Sequence, residues 1–290
     1  METGNNQIKT IHNIVDEAFN SSSALSYHLS IQLGLDGLSF CILDIKNNKF
    51  LVLKSFKFNK IFTWEQLAQT LESTFKLEDL LKNQYKSVSF LINHNQFTIV
   101  PDPLFDTNNQ KDYLKLNATF DNSYSINNDV LKSIDARNVF AIPQGVEKII
   151  RHYFRDCKIM HHTSSLIESF INKNKNSNEN QLFVNINASA FDLILIAGNK
   201  LICCNTFNFY SNEDFVYYVL FVCEQFKLNP EKINLILSGD IEKNSENYSS
   251  IFNYIRNISL ITRNESFSYS YKFDEIPGHF YYNLLNQFTS

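Results

Sequence analysis

Two pairs of adjacent side chains are the most obvious candidates for metal binding in this sequence: His161-His162 and Cys203-Cys204. Imidazole nitrogens and thiolates are the usual ligands of zinc. Both pairs fall in or beside predicted strands, however, and neighbouring side chains on a strand point to opposite faces of the sheet. The sequence also lacks C-x-x-C and H-x3-H spacings. We therefore predict that both pairs are structural and that the chain has no metal site.

Sequence motifs for other kinds of catalysis are absent as well. The nucleophile motif G-x-S-x-G does not occur, and neither do the phosphate-binding patterns G-x-x-x-x-G-K and G-x-G-x-x-G. The chain has only seven glycines, which leaves few positions for a phosphate-binding loop. Any chemistry must therefore come from residues that separate elements of the fold bring together.

The composition is that of a folded protein large enough for two domains. The chain has 290 residues, of which 44% are hydrophobic and 19% are charged. Its net charge of -4 argues against nucleic acid as a partner. The polar N-terminus does not resemble a signal peptide, and no apolar run reaches the roughly 18 residues that a membrane-spanning helix needs. The 26 phenylalanines and 14 tyrosines predict an aromatic core.

The cysteines indicate a reducing compartment. They are odd in number and scattered, and most of them lie in apolar strand or helix patterns. Reduced, buried thiols are typical of cytoplasmic proteins, so we expect a cytoplasmic location. The residues concerned are Cys41, Cys157, Cys203, Cys204 and Cys223.

A repeated series of short strands organises the chain. Residues 181–206 read as three strands joined by two tight turns, and a capped amphipathic helix follows after Ser211. Residues 27–58 have the same layout, and the helix after them begins with the capping box Thr63-x-x-Gln66. This repetition predicts an α/β fold that is built twice.

Four other segments carry further expectations. Apolar residues at helical spacing predict a short helix over residues 9–19. Ser165-x-x-Glu168 matches a capping box and predicts that a helix opens there. Residues 104–135 are difficult to assign, with a short helix around 113–116 and a strand near 123–126. The aromatic C-terminal stretch is expected to pack on the second half as an edge strand and a helix, and the alternative is a sticky surface for a partner or a second copy.

The order of these elements resembles the actin-like ATPase superfamily, which contains actin, sugar kinases and the 70-kDa heat-shock chaperones. Two copies of a strand–strand–strand–helix–strand–helix–strand order carry the resemblance, which covers nearly the whole chain. The layout is most similar to the type IV pilus assembly and cell-division actin homologues, through a strand that ends in Ile142-Pro143 and leads into a helix. It is also similar to an uncharacterised family of Bacteroidetes proteins.

The resemblance implies an α/β fold of duplicated ribonuclease-H-like domains, each with a mixed five-stranded sheet flanked by helices. We place the first domain over residues 1–171, with a possible inserted subdomain at about 93–136. The second domain then covers residues 181–290. The polar run NKNKNSNEN, residues 172–180, is predicted to link the two domains.

Active members of that superfamily bind Mg-nucleotide between the two halves. Two D-x-G hairpins supply backbone N–H groups for phosphate and carboxylates for the Mg²⁺ shell or the attacking water, while a Gly-Gly turn lies close to the adenosine. Here the corresponding segments read Gln-Leu-Gly (32–34), Asn-Ile-Asn (185–187) and Ser-Gly-Asp (238–240). Both expected carboxylates are amides, which cannot balance the Mg²⁺ charge or accept a proton from water. The resemblance assigns to this degenerate cleft Gln32, Gly34, Asp36, Asn185, Asn187, Ser189, Ser238, Gly239 and Asp240.

These residues leave three functions open. We favour a non-catalytic actin-like protein that binds or scaffolds partners, with no catalytic residue and no cofactor. The first alternative is a divergent ATP-binding switch or weak ATPase or kinase, in which Asp36, Asp192 or Asp240 replaces the lost carboxylates and ATP and Mg²⁺ bind weakly. Without that role, Asp36 is a turn-forming residue and Asp192 a solvent-facing one. The second alternative is a homo-oligomer that forms through the aromatic tail. A protein partner or self-association is expected, and nucleic acid is not.

Overall fold

Fifteen strands and seven α-helices form the part of the chain that the structure describes. This computed structural model describes residues 8–59, 62–177 and 179–289. The strands are β1 (Ile8–Val15), β2 (Tyr27–Leu33), β3 (Gly37–Asp44), β4 (Lys49–Phe58), β5 (Ser87–Ile92), β6 (Phe97–Pro101), β7 (Tyr124–Leu131), β8 (Ala136–Pro143), β9 (Lys158–His161), β10 (Asn180–Ile186), β11 (Ala190–Ala197), β12 (Lys200–Asn208), β13 (Asn234–Gly239), β14 (Asn257–Leu260) and β15 (Ser268–Tyr269). The α-helices are α1 (Trp64–Leu77), α2 (Gln110–Lys115), α3 (Gln144–Tyr153), α4 (His162–Asn174), α5 (Asn212–Gln225), α6 (Glu246–Phe252) and α7 (Tyr282–Asn286). Short 3-10 helices cover Ser21–Ser26, Asp79–Lys82, Asp102–Leu104, Thr107–Asn109, Tyr271–Glu275 and Gln287–Thr289.

Two sheets repeat one strand order. In the first sheet the strands run β4-β3-β2-β5-β9, and in the second they run β12-β11-β10-β13-β14. In each sheet the first three strands form antiparallel hairpins, and the last two add in parallel. Parallel addition needs a crossover, which helices supply in both halves. The predicted duplicated α/β fold is therefore confirmed, and the first sheet carries two further strands, β1 and β15, on its β4 side.

The predicted helix over residues 9–19 is wrong, because residues 8–15 form strand β1. This strand pairs antiparallel with β4 along almost its full length. Ile8, Ile11, Ile14 and Val15 are β-branched side chains, which fit a pleated surface better than a helix. The free edge of β4 offers backbone hydrogen bonds to such a segment, and this tertiary pairing outweighs the helical spacing of its apolar residues.

The two predicted capping boxes have opposite outcomes. Thr63 caps α1, and both reciprocal hydrogen bonds with Gln66 are formed. The box at Ser165 is wrong, since α4 begins three residues earlier with His161 as its N-cap. Ser165 lies inside the helix, and Glu168 instead accepts hydrogen bonds from the backbone and hydroxyl of Ser133. The Ser165-x-x-Glu168 spacing therefore does not mark a helix start, and Glu168 instead contacts Ser133.

A third, smaller sheet follows strand β5. Its order is β6-β8-β7, with antiparallel pairing throughout, and α2 packs beside it. The short helix and the strand predicted within residues 104–135 correspond to α2 and β7. Helix α4 runs to Asn174 and β10 begins at Asn180, so fewer residues separate them than the predicted linker contains. The domain boundaries themselves, including an inserted subdomain, stay predictions.

Each half of the chain covers the other half's sheet. After the last strand of the first sheet, α4 packs on the second sheet, where Phe170 stacks on Phe183 with ring centroids 4.3 Å apart. After the last strand of the second sheet, the C-terminal segment (residues 264–289) packs on the first sheet, where Phe273 joins a buried cluster around Phe50. The expectation that this segment packs on the second half as an edge strand is therefore wrong. Strand β15 pairs with β4 of the first sheet, and Phe267 and Tyr269 pack against Phe50 there.

No helix among residues 8–59, 62–177 and 179–289 is long and apolar enough to cross a membrane. Three of the five thiols, Cys41, Cys157 and Cys223, are buried, while Cys203 and Cys204 are half-buried. All five are free cysteines.

Candidate functional site

A cavity lies between the two repeated hairpins. Its volume is about 330 Å³. Its walls are the turn after β2, the turn after β10, the end of β13 and the start of the C-terminal helix α7. Parallel strands end at the same edge of each sheet, which is where α/β proteins usually place ligands. The residues that line the cavity are Ile11, His12, Gln32, Gly34, Asp36, Gly37, Ser39, Ser55, Phe56, Lys57, Asn93, Asn185, Ile186, Asn187, Ala188, Gly239, Asp240, Phe280, Tyr281, Tyr282 and Asn283.

Seven of the nine residues assigned to the cleft from the sequence lie in this wall. They are Gln32, Gly34, Asp36, Asn185, Asn187, Gly239 and Asp240. The other two are placed differently: Ser238 is buried behind the wall, and Ser189 is exposed at the second turn. The structure thus brings both hairpins and the glycine turn together, although a nucleotide bound there stays a prediction.

The two hairpin turns are structurally equivalent. The backbone N–H of Gly34 donates to the carbonyl of Gly37 at 2.9 Å, and the N–H of Asn187 donates to the carbonyl of Ala190 at 2.8 Å. Each bond closes a four-residue turn between antiparallel strands. These N–H groups are therefore already used within the hairpins.

Glycine is required at position 239 of the wall for reasons internal to the fold. Gly239 has a φ of +86°, and a Cβ there would clash with the carbonyl oxygen of Ile186. A Cβ at Gly34 would lie 2.8 Å from Asp36 Oδ1, so a larger residue there would displace that carboxylate. The presence of Gly239 is therefore explained without a ligand.

Asn185 occupies the place of the second expected carboxylate, and its amide is fully oriented. Asn185 lies directly opposite Asp192 on the neighbouring strand. Its Nδ2 donates to Asp192 Oδ2 at 3.2 Å, and its Oδ1 accepts from the Ser238 hydroxyl at 3.1 Å. These bonds hold the side chain within the protein, although it forms part of the cavity wall.

Asp192 is completely buried, at 0% exposure, and does not line the cavity. Asp192 is therefore not the solvent-facing aspartate that we predicted. It also does not replace a metal-binding carboxylate in the cleft. Its Oδ1 lies 2.8 Å from His162 Nε2 and accepts from the Thr206 hydroxyl at 2.7 Å. Burial raises the pKa of Asp192, but the charge of His162 and the hydrogen bonds outweigh burial and lower that pKa.

The adjacent histidines are buried and close together, with ring centroids 4.5 Å apart. They do not alternate across a sheet as predicted, because β9 ends at His161 and α4 begins at His162. His161 contacts the Thr163 hydroxyl and the His94 carbonyl, at 2.7 and 3.0 Å. Both ring nitrogens of each histidine are thus engaged by protein groups. Within the described ranges, no group of three or more His, Cys, Asp or Glu side chains could hold a metal ion.

Charged side chains at the cavity come from both sheets. Asp36 belongs to the first hairpin turn, Asp240 follows β13, and Lys57 lies near the end of β4. Burial raises the pKa of Asp36 above its usual value. Lys57 lowers that pKa and Asp240 raises it, so the two carboxylates influence each other across the cavity. The wall can form hydrogen bonds and ion pairs with a ligand.

The C-terminal segment forms part of the cleft, which the sequence did not reveal. Tyr281 Oη lies 2.7 Å from His12 Nδ1 of β1, and Asn283 Nδ2 donates to the carbonyl of His162 at 3.1 Å. The carbonyl of His279 accepts from the N–H of Gly239 at 3.0 Å. The run Phe280-Tyr281-Tyr282 indicates burial from sequence, but nothing in it indicates which sheet or cleft would bury it.

Comparisons with known proteins agree with this architecture. A solved protein of Bacteroides thetaiotaomicron, described as having an actin-like ATPase fold and unknown function, is 23% identical, with a TM-score of 0.78. The match covers 84% of this chain and 93% of that one. The structure of a PilM–PilN type IV pilus biogenesis complex matches at 12% identity and a TM-score of 0.57, covering 89% of this chain and 96% of that one. No curated protein matches the chain.

These similarities confirm the resemblance to the actin-like fold that the order of elements predicts. At such identities they show the fold and not an activity. A family model described as "Protein of unknown function (DUF3822)" matches residues 16–258, which include both hairpins and the Ser238-Gly239-Asp240 turn. The chain therefore belongs to the DUF3822 family.

Proposed function

We propose that this protein is a non-catalytic, cytoplasmic binding or scaffolding protein of actin-like fold, whose cleft does not hydrolyse ATP. The observation that carries the proposal is that the chain's own C-terminal segment forms one wall of the cleft between the two hairpins. Tyr281 reaches His12 on β1, the edge strand of the first sheet, and the carbonyl of His279 accepts from the N–H of Gly239. The C-terminal segment therefore supplies part of the surface that a ligand in the cleft would contact.

The polar groups in the cleft suit Mg-ATP poorly. Gln32 and Asn185 stand where the superfamily has carboxylates, and the Asn185 amide is held by Asp192 and Ser238. Neutral amides provide no charge to balance Mg²⁺ and no base for water. Asp36 and Asp240 outnumber Lys57 in the wall, so that the cavity has an excess of negative charge, which repels phosphate.

Isothermal titration with ATP, with and without Mg²⁺, tests this part of the proposal. We expect no binding by the full chain and no phosphate release above a blank. Asp36→Asn and Asp156→Asn are matched variants, because Asp36 lines the cavity and Asp156 is exposed elsewhere. Mg²⁺-dependent binding that Asp36→Asn abolishes and Asp156→Asn preserves would overturn the proposal in favour of an ATP-binding switch or weak ATPase.

A protein partner is the second part of the proposal. The structure of similar fold that contains PilM is a complex with PilN, so the architecture is compatible with a scaffolding role. In-cell crosslinking, followed by purification under denaturing conditions, tests for such a partner. We expect one reproducible crosslink to a different protein. Crosslinks solely between copies of this chain, together with a dimer or larger species by light scattering, would favour the homo-oligomer instead.

The aromatic tail does not favour the homo-oligomer. Phe273, Leu284 and Leu285 of the C-terminal segment are buried against the first sheet of the same chain. Phe267 and Tyr282, which belong to the aromatic stretch that suggested self-association, are also buried within the same molecule. We therefore place the partner surface elsewhere on the protein.

A further inference from the structure

Two carboxylates from different sheets line the cavity between the hairpins. Asp36 sits in the turn between β2 and β3, whereas Asp240 follows β13 of the second sheet. Burial raises the pKa of Asp36, and the negative charge of Asp240 adds to that rise. Like charges that face one cavity repel each other, and a cation placed between them would relieve that repulsion.

The cations already in the wall do not fill this role. Lys57 is the one lysine or arginine among the described residues that line the cavity, and it is exposed. Burial lowers the pKa of the His12 imidazole, which disfavours its charged form, and its Nδ1 contacts the Tyr281 hydroxyl. One ammonium therefore faces two carboxylates, which leaves an excess of one negative charge.

An organic cation fits this wall better than a metal ion. No group of three potential metal ligands occurs among the described residues, whereas Mg²⁺ and Ca²⁺ need several oxygen ligands in fixed geometry. The walls also include the aromatic rings of Phe56, Phe280 and Tyr281. Aromatic faces attract ammonium groups, and they pack against the apolar carbons that such ligands carry.

We propose that this cavity binds a small organic ligand through a primary ammonium group held between the carboxylates of Asp36 and Asp240. The ammonium donates hydrogen bonds to both carboxylates, and the aromatic rings enclose the adjacent carbon chain. The volume of about 330 Å³ suits a ligand at the small end of the range that binding cavities cover, about 300–1,000 Å³. The ligand class of the cleft is thus a small organic amine. This inference rests on the proposed function, because it assumes that the cleft does not bind a nucleotide.

Three probes of one length separate the chemical alternatives. They are 4-aminobutan-1-ol, butane-1,4-diol and 4-hydroxybutanoate, which differ in carrying an ammonium, a hydroxyl or a carboxylate at one end. Binding to the full chain is followed by NMR of the probes at low ionic strength, where ion pairs are least screened. We expect the amine to bind at least about tenfold more tightly than the diol, and the carboxylate not to bind.

Variants then locate the bound ammonium. Asp36→Asn and Asp240→Asn are each expected to weaken amine binding by about tenfold, while Asp156→Asn, at an exposed site outside the cavity, leaves it unchanged. Lys57→Met should tighten amine binding, because it removes the competing ammonium. Equal binding of the three probes, tighter binding of the carboxylate, or amine binding that neither Asp36→Asn nor Asp240→Asn changes would overturn the proposal, as would no binding at all.

The ATP titration and the amine-binding experiment test different claims, so one can contradict its claim while the other does not. ATP binding by the wild-type chain would contradict the proposed function whatever the amine does. Loss of amine selectivity would contradict this inference while the ATP result stands. Circular dichroism of each variant, compared with wild type, checks that the variant is folded, so that a change in binding is not caused by unfolding.

Discussion

Tyr281 Oη and His12 Nδ1 lie 2.7 Å apart, although the two residues are 269 positions apart in the sequence. The contact joins the first strand to the C-terminal segment at the edge of the cleft. Tyr281 reaches it with a φ of +55°, a left-handed conformation that is uncommon outside glycine. The surrounding packing of α7 against both β2 and α4 holds it there. Strand β1 and the C-terminal segment thus both line the cleft.

The C-terminal segment should therefore be part of the folding core. Phe273 is 0% exposed and lies in the cluster around Phe50, whereas Phe252 on α6 is 57% exposed. We expect Phe273→Ala to lower the free energy of unfolding by about 3–5 kcal/mol, because it leaves a cavity under the segment. Phe252→Ala should change it by no more than about 0.5 kcal/mol. Urea denaturation measures both, and similar values for the two variants would contradict this assignment.

Asp192 and His162 form a buried pair whose loss should be costly. Asp192→Asn leaves the His162 ring without its carboxylate partner, and we expect a loss of about 3–5 kcal/mol in unfolding free energy at pH 7. The pKa of Asp192 is lowered in the folded protein, so its stabilisation is present above the unfolded pKa and is lost as pH falls through the folded pKa. The difference in unfolding free energy between Asp192→Asn and wild type should thus stay constant from pH 7 to about 4 and become smaller in stronger acid.

Denaturant titrations at several pH values, with Asp156→Asn as the exposed control, check this prediction. A cost below about 1 kcal/mol at pH 7 would show that the pair contributes no more than a surface ion pair does.

The contribution of Asp129 to stability should depend on pH in the opposite direction from that of Asp192. Burial raises the pKa of this carboxyl to about 6, even though its Oδ2 accepts from the Ser164 hydroxyl at 2.6 Å and the His161 N–H at 2.8 Å. A raised folded pKa means that stability falls as pH rises from the unfolded value, about 4, to about 6, by about 3 kcal/mol in total. Above that range the loss is complete.

Asp129→Asn keeps an oxygen for both donors and removes the buried charge. We expect it to be more stable than wild type at pH 7.5 by as much as about 3 kcal/mol and to lack the fall between pH 4 and 6. Thermal or urea unfolding across pH 4–8 measures this. A variant less stable than wild type at pH 7.5 would contradict the assigned burial cost.

Two glycines provide a matched test of backbone requirements. Gly239→Ala places a Cβ against the Ile186 carbonyl at a φ of +86°, so we expect a loss of about 3 kcal/mol or more, together with a distorted cleft. Gly145 lies in α3 with open space around its Cβ position, and Gly145→Ala should stabilise the protein by about 0.5–1 kcal/mol. Equal effects of the two substitutions would show that the turn at Gly239 can relax.

Much of the fold could be read from local patterns. The hairpins of β2–β4 and β10–β12 carry short apolar strands and polar turns, and the Thr63 capping box marks α1. Their repetition predicts the duplicated sheets, and the resemblance to the actin-like superfamily implies that Gln32 and Asn185 stand where active members carry aspartates. Local signals suffice here because strand alternation and helix caps depend on near neighbours in sequence.

The site was harder to read, because its contacts are distant in sequence. Residues 9–19 have apolar residues at helical spacing, but residues 8–15 form a strand that pairs with β4. The edge of β4 determines this pairing, and no local sequence pattern indicates that the edge is available. Asp192 looks like a surface residue of an alternating strand, but α4 places His162 over it. The sequence by itself determined the two repeated hairpins and the glycine turn, and the resemblance to the superfamily implies the missing carboxylates. Only the tertiary structure decided that the C-terminal segment packs on the first sheet and enters the cleft. Burial of its aromatic side chains is favourable against any apolar face, so the sequence of the segment does not select one. The face that is available is fixed only when the sheets have assembled.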